Sequence, residues 1–213
     1  MGHEELWRRV GYSDKVIDHF MNPRNIGEME DADVTATVGS MACGDVIKLF
    51  LKFDEKGERI EKISFLSYGC AANIAATSVL TEMVKGRTIE EAKSITFREI
   101  LEELGGLPAI KHHCAILSVS GLRMAIAKYE VKVGRRKLNE DFVRLVLRGI
   151  LDPILGRDLI SVGRVKGISV DGRRIRISLD LEKGSPAAEV VEAELKEAFE
   201  GLDVKLEILF KEV

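Results

Sequence analysis

Two runs of alternating apolar residues constrain the fold of this chain more than any other feature. In residues 45–53, "DVIKLFLKF", and residues 60–68, "IEKISFLSY", apolar side chains recur at about every second position, and the polar break "DEKGER" separates the runs. Alternation with a period of two puts the apolar side chains on one face of a strand. The two runs therefore predict an antiparallel β-hairpin with one buried face.

Helical signals surround this hairpin. Serine or threonine residues that can cap a helix precede several runs, and "TIEE" and "TFRE" each match a capping box. The predicted helices are residues 13–21, residues 71–86, two shorter helices from Thr88 and Thr96, and a long helix from about His112 to Tyr129. The first unit, residues 1–130, is thus predicted to be α+β, with an antiparallel sheet and helices packed on it.

A second, smaller α+β unit is predicted at residues 139–213. The charged segment at residues 131–138 has no apolar pattern and is predicted to be a linker. Beyond it the sequence predicts a helix capped by Asn139, a hairpin with an Asp171-Gly172 turn, a helix capped by Ser185 that ends at Gly201, and a strand in residues 202–210.

Composition and charge exclude several classes of protein. The chain is 46% hydrophobic and 31% charged with a net charge of -3, as expected for a soluble globular protein. Its basic residues are scattered, so no nucleic-acid partner is expected, and no apolar run is long enough to predict a membrane span. The first twenty residues lack the apolar core of a secretory signal, and three cysteines argue against a disulfide framework. We therefore expect a cytoplasmic location and no membrane partner.

The three cysteines all lie in the first unit, each at the boundary of a predicted element. Cys43 precedes a strand in "ACGDV", Cys70 lies at a strand-to-helix turn, and Cys114 lies at the start of the long helix. The partial positive charge of a helix N-terminus favours the thiolate form at Cys70 and Cys114. Asp45 and His113 add an oxygen and a nitrogen donor close to two of the cysteines.

Each of these residues also has an ordinary structural interpretation. A lone cysteine is most often a small buried hydrophobe, Asp45 could be a polar residue at the entry of a strand, and His113 could bond a helix-end carbonyl or face solvent. Taken together, three thiolates and one Asp or His form a four-coordinate ligand set for zinc, copper(I) or an iron–sulfur cluster. Ligands from three separate loops favour an open, adjustable site over the paired CxxC ligands of structural zinc.

Four motifs in the first unit resemble the signature segments of the IscU/NifU-type iron–sulfur cluster assembly scaffold proteins. They are "YSDKVIDHFMNPRNIG" (12–27), "ACGDV" (42–46), "YGCAANIAATS" (68–78) and "LPAIKHHC" (107–114), in the order of that family. The resemblance implies a scaffold rather than an enzyme. It would assemble a transient [2Fe-2S] cluster from iron and from sulfur supplied by a cysteine desulfurase, and pass it to apo iron–sulfur acceptor proteins.

The same resemblance implies roles for individual residues. Cys43, Cys70 and Cys114 match the cluster ligands of the family, and Asp45 and His113 match alternative fourth ligands. Cys114 also matches the persulfide acceptor.

The loop before Cys114 carries a further implied role and two departures from the family. Lys111 lies beside the site and is implied to take part when no metal is bound. Ala109 and Ile110 replace residues of the Leu-Pro-Pro-Val-Lys loop of bacterial members, which argues against docking of an Hsp70-type chaperone. His112 replaces an apolar residue, and we expect it to face solvent rather than serve as a spare ligand.

The second unit is similar to the small αβ domain of iron–sulfur targeting factors, on the evidence of "ILDPILGRDLISVGRVKGISV" (150–170). Many members of that group carry Gly-Cys-Pro before a helix, where this chain has Gly184-Ser185-Pro186. A hydroxyl is a poor iron ligand, so this unit is expected to contact partners and to bind no cluster.

Two other functions remain open from the sequence. The same Cys, Asp and His ligands could bind zinc, in a protein that regulates the desulfurase, and a visible spectrum would distinguish zinc from a ferric thiolate cluster. A cysteine hydrolase would need a nucleophile and a base in contact, which adjacent His113 and Cys114 on one helix rarely achieve.

Overall fold

The computed structural model describes residues 3–40 and 44–212 of the chain. It has two α+β units, and the buried apolar side chains of both belong to one continuous core. Among the described residues, no helix is long and apolar enough to cross a membrane.

The first unit is built on a three-stranded antiparallel sheet. Its strands, in spatial order, are β1 (Val34–Ser40), β2 (Asp45–Phe53) and β3 (Ile60–Tyr68). Six helices accompany this sheet: α1 (His3–Arg9), α2 (Asp14–Met21), α3 (Ala71–Val84), α4 (Ile89–Ser94), α5 (Phe97–Glu103) and α6 (His112–Lys132). The predicted α+β class is confirmed.

The predicted β2–β3 hairpin has the bounds that its alternation indicated, but β1 and α1 were not predicted. In β1, "VTATVGS", the inward side chains are small and the outward ones are mostly threonine, so the alternation in hydrophobicity is weak. The strand is held by seven paired positions along β2, a long-range contact that local patterns do not reveal.

The predicted helix starts follow from their capping residues. The hydroxyl of Ser13 accepts a hydrogen bond from the backbone N–H of Val16, and both capping boxes, at Thr88 and Thr96, are formed. The long helix starts at His112 as predicted but ends at Lys132, so it extends into the segment that was predicted to be a linker.

Helix α6 approaches the sheet closely because Gly121 faces it. A Cβ atom at Gly121 would lie 3.0 Å from side-chain atoms of both Leu49 and Val38. This close approach seats α6 on the apolar face of β1 and β2, with its N-terminal turn at the end of the sheet where Ser40 and Asp45 pair.

The second unit contains α7 (Glu140–Leu147), β4 (Val165–Asp171), β5 (Arg174–Glu182), α8 (Pro186–Phe199) and β6 (Lys205–Lys211). Strands β4 and β5 are antiparallel, whereas β5 and β6 are parallel and are connected through α8. Asn139 and Ser185 cap α7 and α8 as predicted.

The predicted Asp171-Gly172 turn is displaced by one residue. Asp171 pairs with Arg174, so Gly172 and Arg173 form the two-residue loop. Gly172 has a φ of +57° at the first central position, where the type II′ hairpin turn requires a positive φ. The glycine therefore fixes the register of this hairpin.

Candidate metal centre

Three elements of the first unit bring potential metal-binding side chains to the same end of the sheet. Asp45 is the first residue of β2, Cys70 is the N-cap of α3 two residues after the end of β3, and His113 and Cys114 lie in the first turn of α6. Cys43, the third predicted thiol ligand, lies outside the described residues.

The four described side chains form a continuous series of contacts. The sulfur atoms of Cys70 and Cys114 are 3.7 Å apart, and the Cys114 sulfur is 3.4 Å from Nε2 of His113. Nε2 of His113 is also 3.1 Å from Oδ2 of Asp45. The donor atoms of Asp45, His113 and Cys114 all lie within 4.8 Å of one another, which is compact enough for a single metal ion.

The ring of His113 is oriented by the loop that precedes α6. Its Nδ1 lies 2.9 Å from the carbonyl oxygen of Ile110, which can only accept, so Nδ1 carries a hydrogen and donates it. In a neutral ring, Nε2 then presents a lone pair to the Asp45 carboxylate and the Cys114 sulfur. A metal ion at this position could be shared by all three donors. His113 thus makes the hydrogen bond to a helix-end carbonyl that its purely structural interpretation predicted. Its second ring nitrogen is still available as a metal donor.

The Asp45 carboxylate has a defined position beside the start of α3. Its Oδ1 accepts a hydrogen bond of 3.3 Å from the backbone N–H of Cys70. Gly69 makes room for this contact, because a Cβ atom there would lie 2.6 Å from Oδ1 of Asp45. Asp45 is therefore both the entry residue of β2 and a carboxylate directed at the thiols, with 18% of its side chain exposed.

The two thiols differ in acidity. The Cys114 thiol donates a hydrogen bond that lowers the pKa of Cys70 to about 5, so Cys70 is a thiolate at neutral pH. The same contact raises the pKa of Cys114, and its burial raises it further. The prediction of a thiolate at both helix starts is therefore correct for Cys70 and wrong for Cys114, because the two sulfurs share one proton.

Two cationic or polar groups flank the Cys70 thiolate. The negative charge of Cys70 raises the pKa of Lys111, which keeps this ammonium group protonated next to the site. Burial, together with the charge of Cys70, raises the pKa of Tyr12. His112 is partly buried, and its Nε2 is 3.1 Å from the carbonyl oxygen of Leu107, so the prediction that it faces solvent is wrong.

Asn73, one turn after Cys70, was not predicted to belong to the site. Asn73 is fully buried, its Oδ1 accepts a 2.7 Å hydrogen bond from Ser67, and its Nδ2 has no hydrogen-bond partner within the described part of the chain. A buried amide without a partner is uncommon, and this one adjoins Gly69 and the thiols. No local sequence pattern signals it.

Ser185 of the second unit has a purely structural contact. Its hydroxyl accepts a 3.2 Å hydrogen bond from the backbone N–H of Ala188 and so caps α8. Within residues 3–40 and 44–212, the group formed by Asp45, His113 and Cys114 is the one cluster of three such donors, and it lies wholly in the first unit.

Comparison with known proteins identifies the family of the first unit. Residues 11–136, more than half of the chain, match the family model described as NifU-like N terminal domain. The chain belongs to this family. Residues 140–209 match a second model, described as Iron-sulfur cluster assembly protein. The recognition of both units from their motifs is thus confirmed.

Individual relatives of the NifU-like family align with the first unit. The iron-sulfur cluster assembly scaffold protein IscU 1 of Archaeoglobus fulgidus is 53% identical over 124 residues, which cover 58% of this chain and 80% of the relative. IscU of Azotobacter vinelandii is 48% identical over 128 residues, 59% of this chain and 98% of the relative. A crystal structure of a nitrogen-fixing NifU-like protein (N-terminal) from Brucella abortus covers 56% of this chain and 94% of that chain, with 22% identity and a TM-score of 0.45.

Proposed function

We propose that this protein is a scaffold that assembles a transient [2Fe-2S] cluster and transfers it to apo acceptor proteins. The sulfur would come from a cysteine desulfurase, and the work would take place in the reducing cytoplasm. Membership in the NifU-like family supports the scaffold role, because relatives with about half identical residues are named iron-sulfur cluster assembly scaffold proteins. In this role iron and sulfide are cargo rather than a resident cofactor.

The observation that best supports the proposal is the contact of two sulfurs with a carboxylate and an imidazole at one end of the sheet. Thiolates are the preferred ligands of iron in such clusters, and an oxygen or nitrogen ligand at the fourth position is more readily exchanged. We assign Cys43, Cys70 and Cys114 as the thiolate ligands, with Asp45 or His113 completing the set.

The donors would have distinct tasks during assembly. The Cys70 thiolate, held near the Lys111 ammonium, is ready to bind a cation without first losing a proton. Cys114 must lose the proton that it shares with Cys70 when metal binds. Cys114 stays our candidate for the persulfide acceptor, and its burial implies that the first turn of α6 must open for the desulfurase to reach it.

Anaerobic reconstitution tests this function. The full chain, reduced and cleared of metal by chelation, is incubated with ferrous iron and sulfide, and the visible spectrum and the iron and sulfide contents are measured. We expect a coloured product with about two irons and two sulfides per chain, as the formula of the cluster requires. A chain that stays colourless, or takes up iron without sulfide, would contradict the proposal.

The zinc alternative is tested by the same sample. If the site is selective for zinc, zinc should exclude iron from it when both ions are present in equal amounts. The sample would then show no visible absorbance, since zinc has a filled d shell. The hydrolase that the sequence left open would use Cys114 with His113, whose Sγ and Nε2 do lie 3.4 Å apart, but the relatives of the first unit are named scaffold proteins, which favours the scaffold role.

A further inference from the structure

A cavity of about 170 Å³ lies between the two units. Its walls come from the start of β1 and the residues just before it, from the C-terminal half of α6, and from the turn that follows α8. An engineered cavity of about 150 Å³ in another protein accommodates benzene. The space between the units therefore has room for a small organic molecule or an inorganic ion, and not only for a single water molecule.

Lys128 brings a buried positive charge to the wall of this cavity. Its side chain is 1% exposed, and burial lowers its pKa to about 8, so most of the ammonium group is still protonated at pH 7. Within the described part of the chain, its Nζ makes no hydrogen bond and no ion pair. A buried ammonium group without acceptors costs free energy, and its three hydrogens therefore require acceptors that the cavity contents must supply.

The carboxylates near Lys128 do not supply these acceptors. Oε1 of Glu197, on α8, lies 2.8 Å from the Thr37 hydroxyl and 3.4 Å from Nζ of Lys48. Glu197 forms no ion pair with Lys128 itself. Glu200 is exposed in the turn after α8 and acts on Lys128 through its charge alone. Both glutamates favour the protonated lysine, but they leave its hydrogen-bonding positions open.

Two further hydrogen-bond donors line the same cavity. Thr35 on β1 is half-buried, and its hydroxyl has no hydrogen-bond partner among the described residues. Lys132, one turn after Lys128 on α6, donates a 2.7 Å hydrogen bond to the backbone carbonyl oxygen of Asp33. The Asp33 carboxylate, in contrast, accepts a 2.7 Å hydrogen bond from a backbone N–H of β2. Ammonium and hydroxyl hydrogens around one cavity match an anion with several acceptor atoms.

We infer that this cavity is a binding site for a small oxyanion, which the Lys128 ammonium group holds between the two units. The chemistry that it recognises is an anionic oxygen group, which occurs both in inorganic phosphate and in short carboxylates. Water alone would give the ammonium hydrogens acceptors but no opposite charge at hydrogen-bond distance, whereas an oxyanion gives both. This site goes beyond the proposed scaffold role and does not depend on it.

Calorimetric titration of the chelated, iron-free full chain with inorganic phosphate, and separately with succinate, tests the site. Chloride keeps the ionic strength constant, so that general screening does not contribute. We expect one site per chain for at least one of the two anions, with a dissociation constant of about 1 mM, as two charge-assisted hydrogen bonds would give. The anion that binds more tightly identifies the source. No saturable binding of either anion up to about 10 mM, tenfold above this constant, overturns the inference.

Three variants assign the binding to the cavity. Lys128→Met removes the ammonium group and should weaken binding at least about tenfold. Glu200→Gln removes a nearby negative charge and should tighten binding about threefold. Lys137→Met is the control, since Lys137 is exposed and lies outside the cavity wall, and it should bind as the wild type does. Equal affinity in Lys128→Met and Lys137→Met, or weaker binding in Glu200→Gln, overturns the inference.

Amide NMR resonances of the wild type locate the bound anion without any substitution. Saturation should shift the resonances of Thr35 on β1, Lys128 on α6 and Leu202 after α8, because these residues line the cavity in both units. The resonance of Gly106, which precedes the opposite end of α6, should not move. Shifts confined to residues outside the cavity wall overturn the inference. Thermal unfolding without anion shows that each variant is folded, and if Lys128→Met is not, the resonance shifts and Glu200→Gln decide.

Discussion

Two helices of equal length begin in the same manner in the two units, yet their first residues do different things. Helices α3 and α8 each have 14 residues, and their N-caps, Cys70 and Ser185, have nearly the same backbone, with φ of -77° and -72°. Ser185 bonds the N–H of Ala188, whereas the Cys70 side chain makes no capping hydrogen bond. At equivalent positions, one side chain completes its helix and the other is left available for chemistry.

The contrast shows how a capping position can carry function. An N-cap side chain faces the positive end of its helix, which stabilises either a hydrogen-bonded hydroxyl or a free thiolate. At Cys70 the second option is reinforced by a proton shared with Cys114, a long-range partner that Ser185 lacks. The two N-caps therefore differ in one atom, sulfur in place of oxygen. The sulfur belongs to the candidate metal centre, whereas the oxygen only caps its helix.

The largest expected effect comes from exchanging these two residues. Cys70→Ser removes a thiolate ligand, and we expect cluster uptake to fall at least about tenfold, as for loss of a metal ligand or its support. Ser185→Cys should add no iron, because the described part of the second unit holds no other grouped donors. Iron and sulfide counts after reconstitution decide both. Full iron content in Cys70→Ser, or additional iron in Ser185→Cys, would contradict the contrast drawn between the two N-caps.

The second effect concerns α6, which extends from the centre towards the second unit. Lys128 on this helix is 1% exposed, and burial lowers its pKa to about 8 despite the nearby charges of Glu200 and Glu197. Between pH 8 and the ordinary lysine value of 10.5, the unfolded chain holds a proton that the folded chain has lost. The free energy of unfolding should therefore rise with pH in this window, since the cost of the buried charge is present below pH 8.

Lys128→Met tests this cost. We expect the variant to be more stable at pH 7 by up to about 3 kcal/mol. Its free energy of unfolding should not show the rise between pH 8 and 10 that is expected for the wild type. Urea unfolding at several pH values measures both, with the exposed Lys137→Met as control. A variant that is less stable at pH 7 would mean that the ammonium group of Lys128 makes a favourable contact that outweighs its burial.

A third effect concerns the fourth ligand. Asp45→Ala removes a hard, exchangeable carboxylate from a site of soft donors and leaves His113 to complete the set. We expect the cluster of this variant to persist about tenfold longer and to transfer more slowly to an apo-ferredoxin. Visible absorbance after addition of the acceptor follows both steps. Equal or faster loss would show that Asp45 matters only as the entry residue of β2 and the partner of the Cys70 N–H.

Local patterns predicted what local forces determine. The β2–β3 alternation, the capping boxes at Thr88 and Thr96, and the cap at Ser185 each depend on residues within a few positions, and each is present as predicted. The placement of the candidate donors at element boundaries was also readable from sequence, and the likeness to a known family assigned them roles.

Long-range contacts account for the failures. The acidity of Cys114 depends on Cys70, 44 residues earlier, and β1 is a strand because β2 pairs with it. The contacts of Glu197 with Thr37 and Lys48 join two units that the sequence predicted to be separate. Spacing along one chain carries no information about such pairs, so no single-sequence argument could have found them.

The smallest expected effect is on the stability of the same two variants, Cys70→Ser and Ser185→Cys, rather than on their iron content. At an extended N-cap a serine hydroxyl can bond a backbone N–H of the first turn, and this is worth about 1 kcal/mol. Ser185→Cys loses that bond at α8 and should lower the free energy of unfolding by about this amount. Cys70→Ser can gain only a shared bond at the N–H of Asn73, which already donates a 2.9 Å hydrogen bond to the Cys70 carbonyl oxygen, so its gain should be smaller than the loss of about 1 kcal/mol at α8. We therefore expect the variant that loses the cluster to be the more stable one in urea, when both are compared with the chelated wild type. A loss of stability in Cys70→Ser would show that the paired thiols themselves hold α3 against α6, and that the Cys70 position is structural as well as chemical.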